Sequence, residues 1–595
     1  MNYSPPVSDI MTALKSAAGM HELIDRGLFD GLDIETVEAI LTEAGRFAAE
    51  RLAPLNEPGD GAGARLDGGN VTTAPGWQAA YDAFREAGWN ALPGPSQYGG
   101  QGLPSVLSMA VSELWNGANL AFGLCPLLTQ GAINALNAEG SEALKSVYLA
   151  RMVAGEWTGT MNLTEPQAGS DLGAIRTRAE PAGDGTYRIF GTKIFITYGE
   201  HDLTENIVHM VLARLPDALE GTRGISLFLV PKYLVNTDGT LGSRNDVHCT
   251  GLEQKLGIHA SPTCTMTYGD NGGAVGYLVG EPHRGLATMF IMMNEARLAV
   301  GVQGVAIAER ATQRALAYAR ERRQGRVPGS STATGMDPII GHPDIRRQLL
   351  TMRALTGAAR AICLATAAAA DMSHHLPEVE DRVAAAQKAA LLTPVAKAFS
   401  TDIGCEVASL GIQVHGGMGF IEETGAAQHF RDARILPIYE GTNGIQAIDL
   451  VVRKLPLENG AVVGAYLDEL SHVVGVLSKA KQVHITSLEP ALDEALENLR
   501  AATAWLLQKL ASDRATALAG ATPYLRAFAL TAGSIYLARA AHDRAEEGGG
   551  SDVAQLATFF AGNLLPTVPA LVRTVVEGGD SVLACSRWLD DGSGL

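Results

Sequence analysis

The chain has 595 residues, 46% apolar and 18% charged, enough to build several cores. Its formal net charge of −18 argues against a nucleic-acid partner, because that affinity comes from lysines and arginines neutralising phosphates. An anionic ligand therefore needs a local arginine cluster rather than the overall field.

Residues 1–35 form a short preface. It lacks a basic stretch followed by an apolar core, so no signal peptide is expected. From 36 to 157 apolar residues recur at helical spacing, and Pro93-Gly94-Pro95-Ser96 and Gly99-Gly100-Gln101-Gly102 break the pattern into loops. Residues 158–280 read as strands, for example Tyr187-Arg188-Ile189-Phe190, Lys193-Ile194-Phe195-Ile196-Thr197 and Ile207–Leu212. Gly191-Thr192 is expected to close a hairpin. No helical stretches separate these strands, so an antiparallel sheet or barrel is expected rather than a βαβ fold.

Residues 281–455 are helical again and rich in alanine. Residues 456–595 continue with about four amphipathic helices, the last two separated by Gly548-Gly549-Gly550-Ser551. This tail is poor in residue types suited to chemistry and reads as a bundle for packing or assembly. The six cysteines, Cys125, Cys249, Cys264, Cys363, Cys405 and Cys585, have no C-x-x-C spacing and look like reduced thiols. His248, Cys249, His259 and Cys264 fit no zinc spacing, so no metal is expected. No uninterrupted apolar run approaches the length of a membrane span. A soluble, cytoplasmic protein without membrane insertion is expected.

Five stretches carry chemistry-bearing residues. Met161–Asp171 is a polar, glycine-containing loop whose amides and Thr164 and Ser170 hydroxyls suit a planar heteroaromatic ligand, or simply a well-formed turn. Ile194-Phe195-Ile196-Thr197 offers a ring and a hydroxyl at a strand end, or core packing. Arg320–Arg326 is a basic helix end, favoured there by the helix dipole and equally suited to clamp a pyrophosphate. Gln413–Gly419 is a glycine-rich turn that lets amides approach a phosphate, though glycines also end helices.

Tyr439-Glu440-Gly441-Thr442-Asn443 places one carboxylate between an aromatic ring and a glycine, behind the run Ile435-Leu436-Pro437-Ile438. Partial desolvation there raises basicity, which suits a base acting on a weakly acidic C–H. The alternative is an exposed glutamate in a turn.

In this order, the set resembles the acyl-CoA dehydrogenase family of flavoenzymes over about residues 36–455. The resemblance rests on Thr164–Asp171, Lys193–Thr197, Glu321-Arg322-Arg323-Gln324-Gly325, Gln413-Val414-His415-Gly416-Gly417 and Tyr439-Glu440-Gly441-Thr442. The preface and the helical tail look like the long subgroup that includes dehydrogenases of 3-(methylthio)propanoyl-CoA. The resemblance implies a mainly helical protein with a β domain: a helical domain (36–157), a sheet or barrel domain (158–280), a four-helix bundle (281–455) and an extra C-terminal helical domain (456–595).

It also implies FAD. By position Met161, Leu163, Thr164, Phe195 and Thr197 touch the flavin, and Phe195 stands where the family usually has tryptophan. Arg322 and Gln324 hold the pyrophosphate and adenosine, Gln413 and Gly417 meet the FAD of a neighbouring subunit in a homo-oligomer, and Thr442 also touches FAD. Ser170, Arg297, Tyr439 and Gly441 meet the acyl-CoA. Glu440 is the implied catalytic base. Glu295 is the alternative, because some members carry the base just before an arginine on the earlier helix, where this chain has Ala296-Arg297. The implied reaction is α,β-dehydrogenation to the trans-2-enoyl-CoA, with an electron-transfer flavoprotein as oxidant. An acyl-CoA oxidase using O₂, or a non-catalytic CoA-binding scaffold, are the other readings.

Overall fold

In the computed structural model, residues 3–29, 31–329 and 335–584 are described, so Cys585 lies outside the described residues. The preface forms helix α1 (Val7–Ser16), tied to the body by Asp9 and Arg353 at 2.9 Å. The main helices that follow are α2 (Ile34–Phe47), α3 (Trp77–Glu86), α4 (Ser105–Ala118), α5 (Leu120–Glu139) and α6 (Glu142–Val153). Asp33 starts α2 by accepting the Thr36 amide at 2.7 Å, satisfying a donor the helix leaves free. Asn119 ends α4 and caps α5 through the Phe122 amide at 3.1 Å, turning the chain within one residue.

The middle domain has eight main strands: β1 (Trp157–Asn162), β2 (Arg178–Pro181), β3 (Tyr187–Thr197), β4 (Asn206–Arg214), β5 (Ile225–Pro231), β6 (Val247–Leu252), β7 (Thr263–Tyr268) and β8 (Ala274–Val279). Their order is β6-β7-β3-β8-β5-β4-β1, and β2 pairs with both β3 and β4, so the path closes on itself as a barrel. The pairing is not wholly antiparallel, because β1 runs parallel to β4. The expected hairpin at Gly191-Thr192 is absent: β3 runs through it as one strand. Its first part pairs with β8 and its second with β7, so β3 turns a corner of the barrel. Gly191 sits at that corner with φ +148°, and a Cβ there would meet Thr177 Oγ1 at 2.5 Å.

The second helical body is built on three long helices, α7 (Gly285–Glu321), α8 (Pro343–His375) and α9 (Val379–His415). Small residues let them approach closely; a Cβ on Gly304 of α7 would lie 2.3 Å from the Ser400 carbonyl oxygen of α9. Arg360 of α8 is buried between Glu113 of α4 at 2.7 Å and Glu309 of α7 at 3.0 Å, locking three helices together. The short helices α10 (Ala426–Ala433) and α11 (Asn443–Asp449) complete this body.

The tail contributes α12 (Ala461–Leu477), α13 (Glu489–Ser512), α14 (Ala521–Glu546), α15 (Ser551–Asn563) and α16 (Val568–Glu577). The glycine run therefore separates α14 from α15, not the last two helices. Pro566 and Pro569 make the further break before α16, each falling in the first turn of a new helical segment. α14 lies against α8, with Gly533 close enough that a Cβ would stand 2.7 Å from Ala358 Cβ. Among the described residues, four helical segments are long and apolar enough to cross a membrane by length and composition. Interspersed alanines raise their mean hydropathy although no run is uninterrupted. The apolar windows of two of them, in Gly285–Glu321 and Pro343–His375, are 78% and 83% buried in the fold.

Candidate active site

The loop between α10 and α11 carries Tyr439, Glu440, Gly441 and Thr442. Glu440 and Gly441 are both left-handed, at φ +55° and +85°. That conformation is unfavourable for a glutamate and persists only where surrounding groups impose it. Here they do. Gln446 Nε2 donates to the Glu440 carbonyl at 3.1 Å and, more weakly, to the Gly441 carbonyl at 3.4 Å. Lys397 Nζ, from α9, donates to the Gly441 carbonyl at 2.8 Å and to Asn443 Oδ1 at 2.9 Å. Asn443 Nδ2 donates to the Ala398 carbonyl at 3.0 Å and Asp402 Oδ1 at 2.7 Å. The Tyr439 hydroxyl donates to Gln303 Oε1, and Gln303 Nε2 reaches Asn116 Oδ1 at 3.0 Å.

Burial pushes the Glu440 carboxyl above the usual carboxylate range, and the charges of Arg297 and Lys397 pull it partly back. Arg297 is 7% exposed, its Nε has no hydrogen-bond partner among the described residues, and burial lowers its own pKa. Lys397 is fully buried and pulled down to about 7, first by burial, with Glu440 and Asp402 opposing. The structure thus gathers Tyr439, Glu440, Gly441 and Arg297 around one carboxylate. Thr442 is exposed and its hydroxyl accepts the Ile445 amide at 3.3 Å, capping α11.

A second group assembles at one end of the barrel. Met161 is the last residue but one of β1, and Leu163 and Thr164 follow the strand. The Thr164 carbonyl accepts the Ile194 amide at 2.9 Å, and the Leu163 carbonyl accepts Lys193 Nζ at 2.9 Å. Thr160 Oγ1 donates to the Thr197 carbonyl at 2.7 Å. These bonds set Met161, Leu163, Thr164, Phe195 and Thr197 side by side. The anchor is the buried pair Lys193–Glu165 at 2.8 Å. Burial alone would raise Glu165, but Lys193 and the Thr177 and Arg176 hydrogen bonds hold it down to about 2. Burial lowers Lys193 to about 8, so both remain charged at neutral pH. Phe195 has φ +61° and is 58% exposed, a ring presented to solvent by a strained backbone. Ser170 is exposed on the same loop. Met161 packs in the apolar cluster that contains Met293 and Ala296, next to Arg297.

A third group lies elsewhere. Arg322 and Gln324 are exposed just past the end of α7, and Gln413 and Gly417 are exposed at the end of α9. The Tyr318 and His415 rings stack at 4.3 Å and bring the two helix ends together. Arg322 is roughly 37 Å from Arg297 along α7, at 1.5 Å per residue.

Glu295 is held away from this chemistry by Asn134, whose side-chain amide donates to its carboxylate, and burial raises its pKa. It lines a cavity of about 70 Å³ together with Trp89, Ser108, Trp115 and Gln130. The indole N–H groups of Trp89 and Trp115 have no partner there.

The family models for the N-terminal (residues 35–156), middle (160–270) and C-terminal (283–455) domains of acyl-CoA dehydrogenase match the chain, as does an acetyl-CoA dehydrogenase C-terminal-like model over 466–586. The chain belongs to the acyl-CoA dehydrogenase family, and its activity is acyl-CoA dehydrogenation. It is 48% identical to the 3-methylmercaptopropionyl-CoA dehydrogenase of Ruegeria pomeroyi over 98% of this chain and 100% of that one. Its fold matches ACDH-11 of Caenorhabditis elegans, solved in complex with C11-CoA, at TM-score 0.79 and 21% identity over 98% and 96% of the two chains. It also matches an acyl-CoA dehydrogenase of Bacillus anthracis complexed with FAD, at TM-score 0.74 and 22% identity over 94% and 92%.

The sequence reading passed over Lys397, Gln446, Gln303 and Asn443. One signal was available: Lys397 interrupts the apolar stretch Pro394-Val395-Ala396-Lys397-Ala398-Phe399, and a lysine on a buried helix face needs a partner.

Proposed function

We propose that this protein oxidises a short acyl-CoA thioester across its α,β bond, with Glu440 as the base and FAD as the cofactor. The observation that carries this reading is Glu440 itself, a carboxylate forced left-handed by Lys397 and Gln446 and flanked by Arg297. Burial raises its basicity, while the two cations keep enough of it ionised to accept a proton.

The residues present fit FAD. Phe195 offers an exposed ring beside the Thr164 and Thr197 hydroxyls, and such a surface is what a flat heteroaromatic ligand covers. Gly416 and Gly417 leave open space where a Cβ would stand. Bound FAD supplies the acceptor for the hydride that leaves the β-carbon. The chain's own residues do the rest. Glu440 takes the α-proton as the Cα–Cβ double bond forms. Its amide makes no hydrogen bond within the described chain and is available to the thioester oxygen as negative charge develops there. Arg297, whose buried Nε has no partner among the described residues, adds positive potential beside Glu440.

The Arg322–Gln324 cluster lies with the Gln413–Gly417 turn, far from Arg297. That closeness supports assigning all four residues to the FAD of a neighbouring subunit, with Arg322 and Gln324 at its pyrophosphate and adenosine. Replacing Arg322 with alanine should raise the fraction of flavin lost on gel filtration several-fold while leaving the circular dichroism of the chain unchanged. Equal retention by the two proteins would defeat this assignment.

The R. pomeroyi relative supports 3-(methylthio)propanoyl-CoA as substrate. The motifs support an electron-transfer flavoprotein as oxidant. The test is anaerobic bleaching of bound flavin by 3-(methylthio)propanoyl-, butanoyl- and dodecanoyl-CoA. The methylthio thioester should bleach fastest, by about tenfold over dodecanoyl-CoA, since each misfitted methylene costs about 1–3 kcal/mol. Preference for the long chain would refute the substrate, peroxide on aerobic turnover would favour an oxidase, and no bleaching at all would leave only a scaffold.

A further inference from the structure

We infer that Lys397 is a positioning residue for the dehydrogenation, holding the Glu440–Gly441 turn in its reactive shape and setting the charge around the base. The inference rests on the reading of Glu440 as the base, and it concerns a residue on another helix, 43 positions away in the sequence.

Four observations converge on Lys397. It sits on the face of α9 that is sealed from solvent, at 0% exposure. A lysine is almost never fully buried without partners, because removing an ammonium from water costs several kcal/mol or more. Its partners are not a carboxylate at contact distance but the Gly441 carbonyl at 2.8 Å and Asn443 Oδ1 at 2.9 Å. It therefore spends its hydrogen bonds on Gly441, the second residue of the left-handed turn, and on Asn443 two residues beyond it. Glu440 and Gly441 cannot hold that turn on their own, since a glutamate at φ +55° is strained.

The clamp has two jaws. Gln446, from α11, holds the Glu440 carbonyl at 3.1 Å, and Lys397, from α9, holds that of Gly441. Asn443 joins them, because its Oδ1 also lies 3.2 Å from Thr401 Oγ1 and its Nδ2 reaches Asp402 at 2.7 Å. Only the lysine jaw carries charge.

The charged groups around the site come from three elements. Arg297 faces Glu440 from α7, Lys397 faces it from α9, and Asp402, one turn along α9, faces Lys397. Arg526 of α14 and Glu406 of α9 act on Asp402 in turn. With Lys397 ionised, Glu440 is easier to keep as a carboxylate. Removing that charge leaves Arg297 as the single cation acting on it, so the base should need a higher pH to lose its proton. Burial draws the Lys397 ammonium down to about 7, and the negative charges of Glu440 and Asp402 oppose that fall.

The test measures the rate of anaerobic flavin reduction against pH in the FAD-loaded full-length protein. Lys397→Met keeps length and fills the space without charge or donors. It should hold FAD as the parent does, lose about 10- to 100-fold in rate, and move the acid limb of the profile upward by at least one pH unit. Gln446→Leu removes the neutral jaw; it should lower the rate and leave the acid limb in place. Lys397→Arg keeps the charge and should keep the limb while losing rate, because the broader guanidinium displaces the turn; it decides the question if the methionine variant loses its fold. A parent-like profile in Lys397→Met, or a limb moved equally by Gln446→Leu, overturns the proposal. Glu440→Gln keeps the two ideas apart. If that variant still reduces flavin at the parent rate, the base is misassigned. If it is dead while Lys397→Met is parent-like, the base stands and Lys397 has no such role.

Discussion

Glu440→Gln should bind FAD and acyl-CoA normally and reduce the flavin about 10³-fold or more slowly, within the 10²–10⁴ that a positioned base supplies. That factor is about 4 kcal/mol of barrier. The amide keeps the shape of the carboxylate and its capacity to accept hydrogen bonds, but it cannot take up the α-proton. The turn should survive, because Lys397 and Gln446 grip the backbone carbonyls of 440 and 441 and not the side chain. Glu295→Gln should cost far less, since its carboxylate is engaged with Asn134 and turned toward the cavity. In the parent, the rate should climb with pH through the raised pKa of Glu440, because only its ionised form accepts a proton and burial favours the neutral form. Rapid-mixing absorbance at the flavin band reads all three. A stalled Glu295 variant beside an active Glu440 variant would overturn the assignment.

A chain ending at residue 455 should not remain soluble with the parent's oligomeric size. The tail does not hang from the body. α14 lies along α8 so closely that Gly533 meets Ala358 and Ile362, and Gly357 meets Leu537. Lys388 of α9 pairs with Glu469 of α12 at 2.7 Å, and Arg526 of α14 with Glu406 of α9 at 2.8 Å. Exposing each large apolar side chain costs about 1.5–3 kcal/mol, so uncovering a few of them consumes most of the ~5–15 kcal/mol that stabilises a domain. The exposed strip on α8 would also invite self-association. Light scattering and gel filtration of the truncated chain decide this, and a soluble species of unchanged assembly state would show that the tail is dispensable.

Much of the architecture is legible in the sequence because it follows from local periodicity. Helical spacing before 157, β-branched strands after it and alanine-rich helices beyond 281 each repeat within a few residues. The hairpin reading at Gly191 fails for an instructive reason. A glycine in a strand marks either a turn or a close backbone approach, and only the position of Thr177, on a different strand approach, selects the second. The tail divides once more than the expected four helices, at Leu564-Leu565-Pro566-Thr567-Val568, where a proline interrupts an otherwise apolar run.

The sequence by itself determined the family and the candidate site: a glutamate between Tyr439 and Gly441, a polar loop before Asp171, arginines around 322 and glycines after His415 are short motifs whose members are chain neighbours. Only the tertiary structure decided what surrounds Glu440, the proposed base. The lysine that clamps its turn lies on α9, the arginine beside it on α7 and the glutamine that braces Tyr439 one and a half turns further along the same helix. These groups are tens to more than a hundred residues from Glu440. No period or composition joins them, because their proximity results from how three long helices pack through small residues, and helix packing is set by the summed burial of whole faces rather than by any local motif.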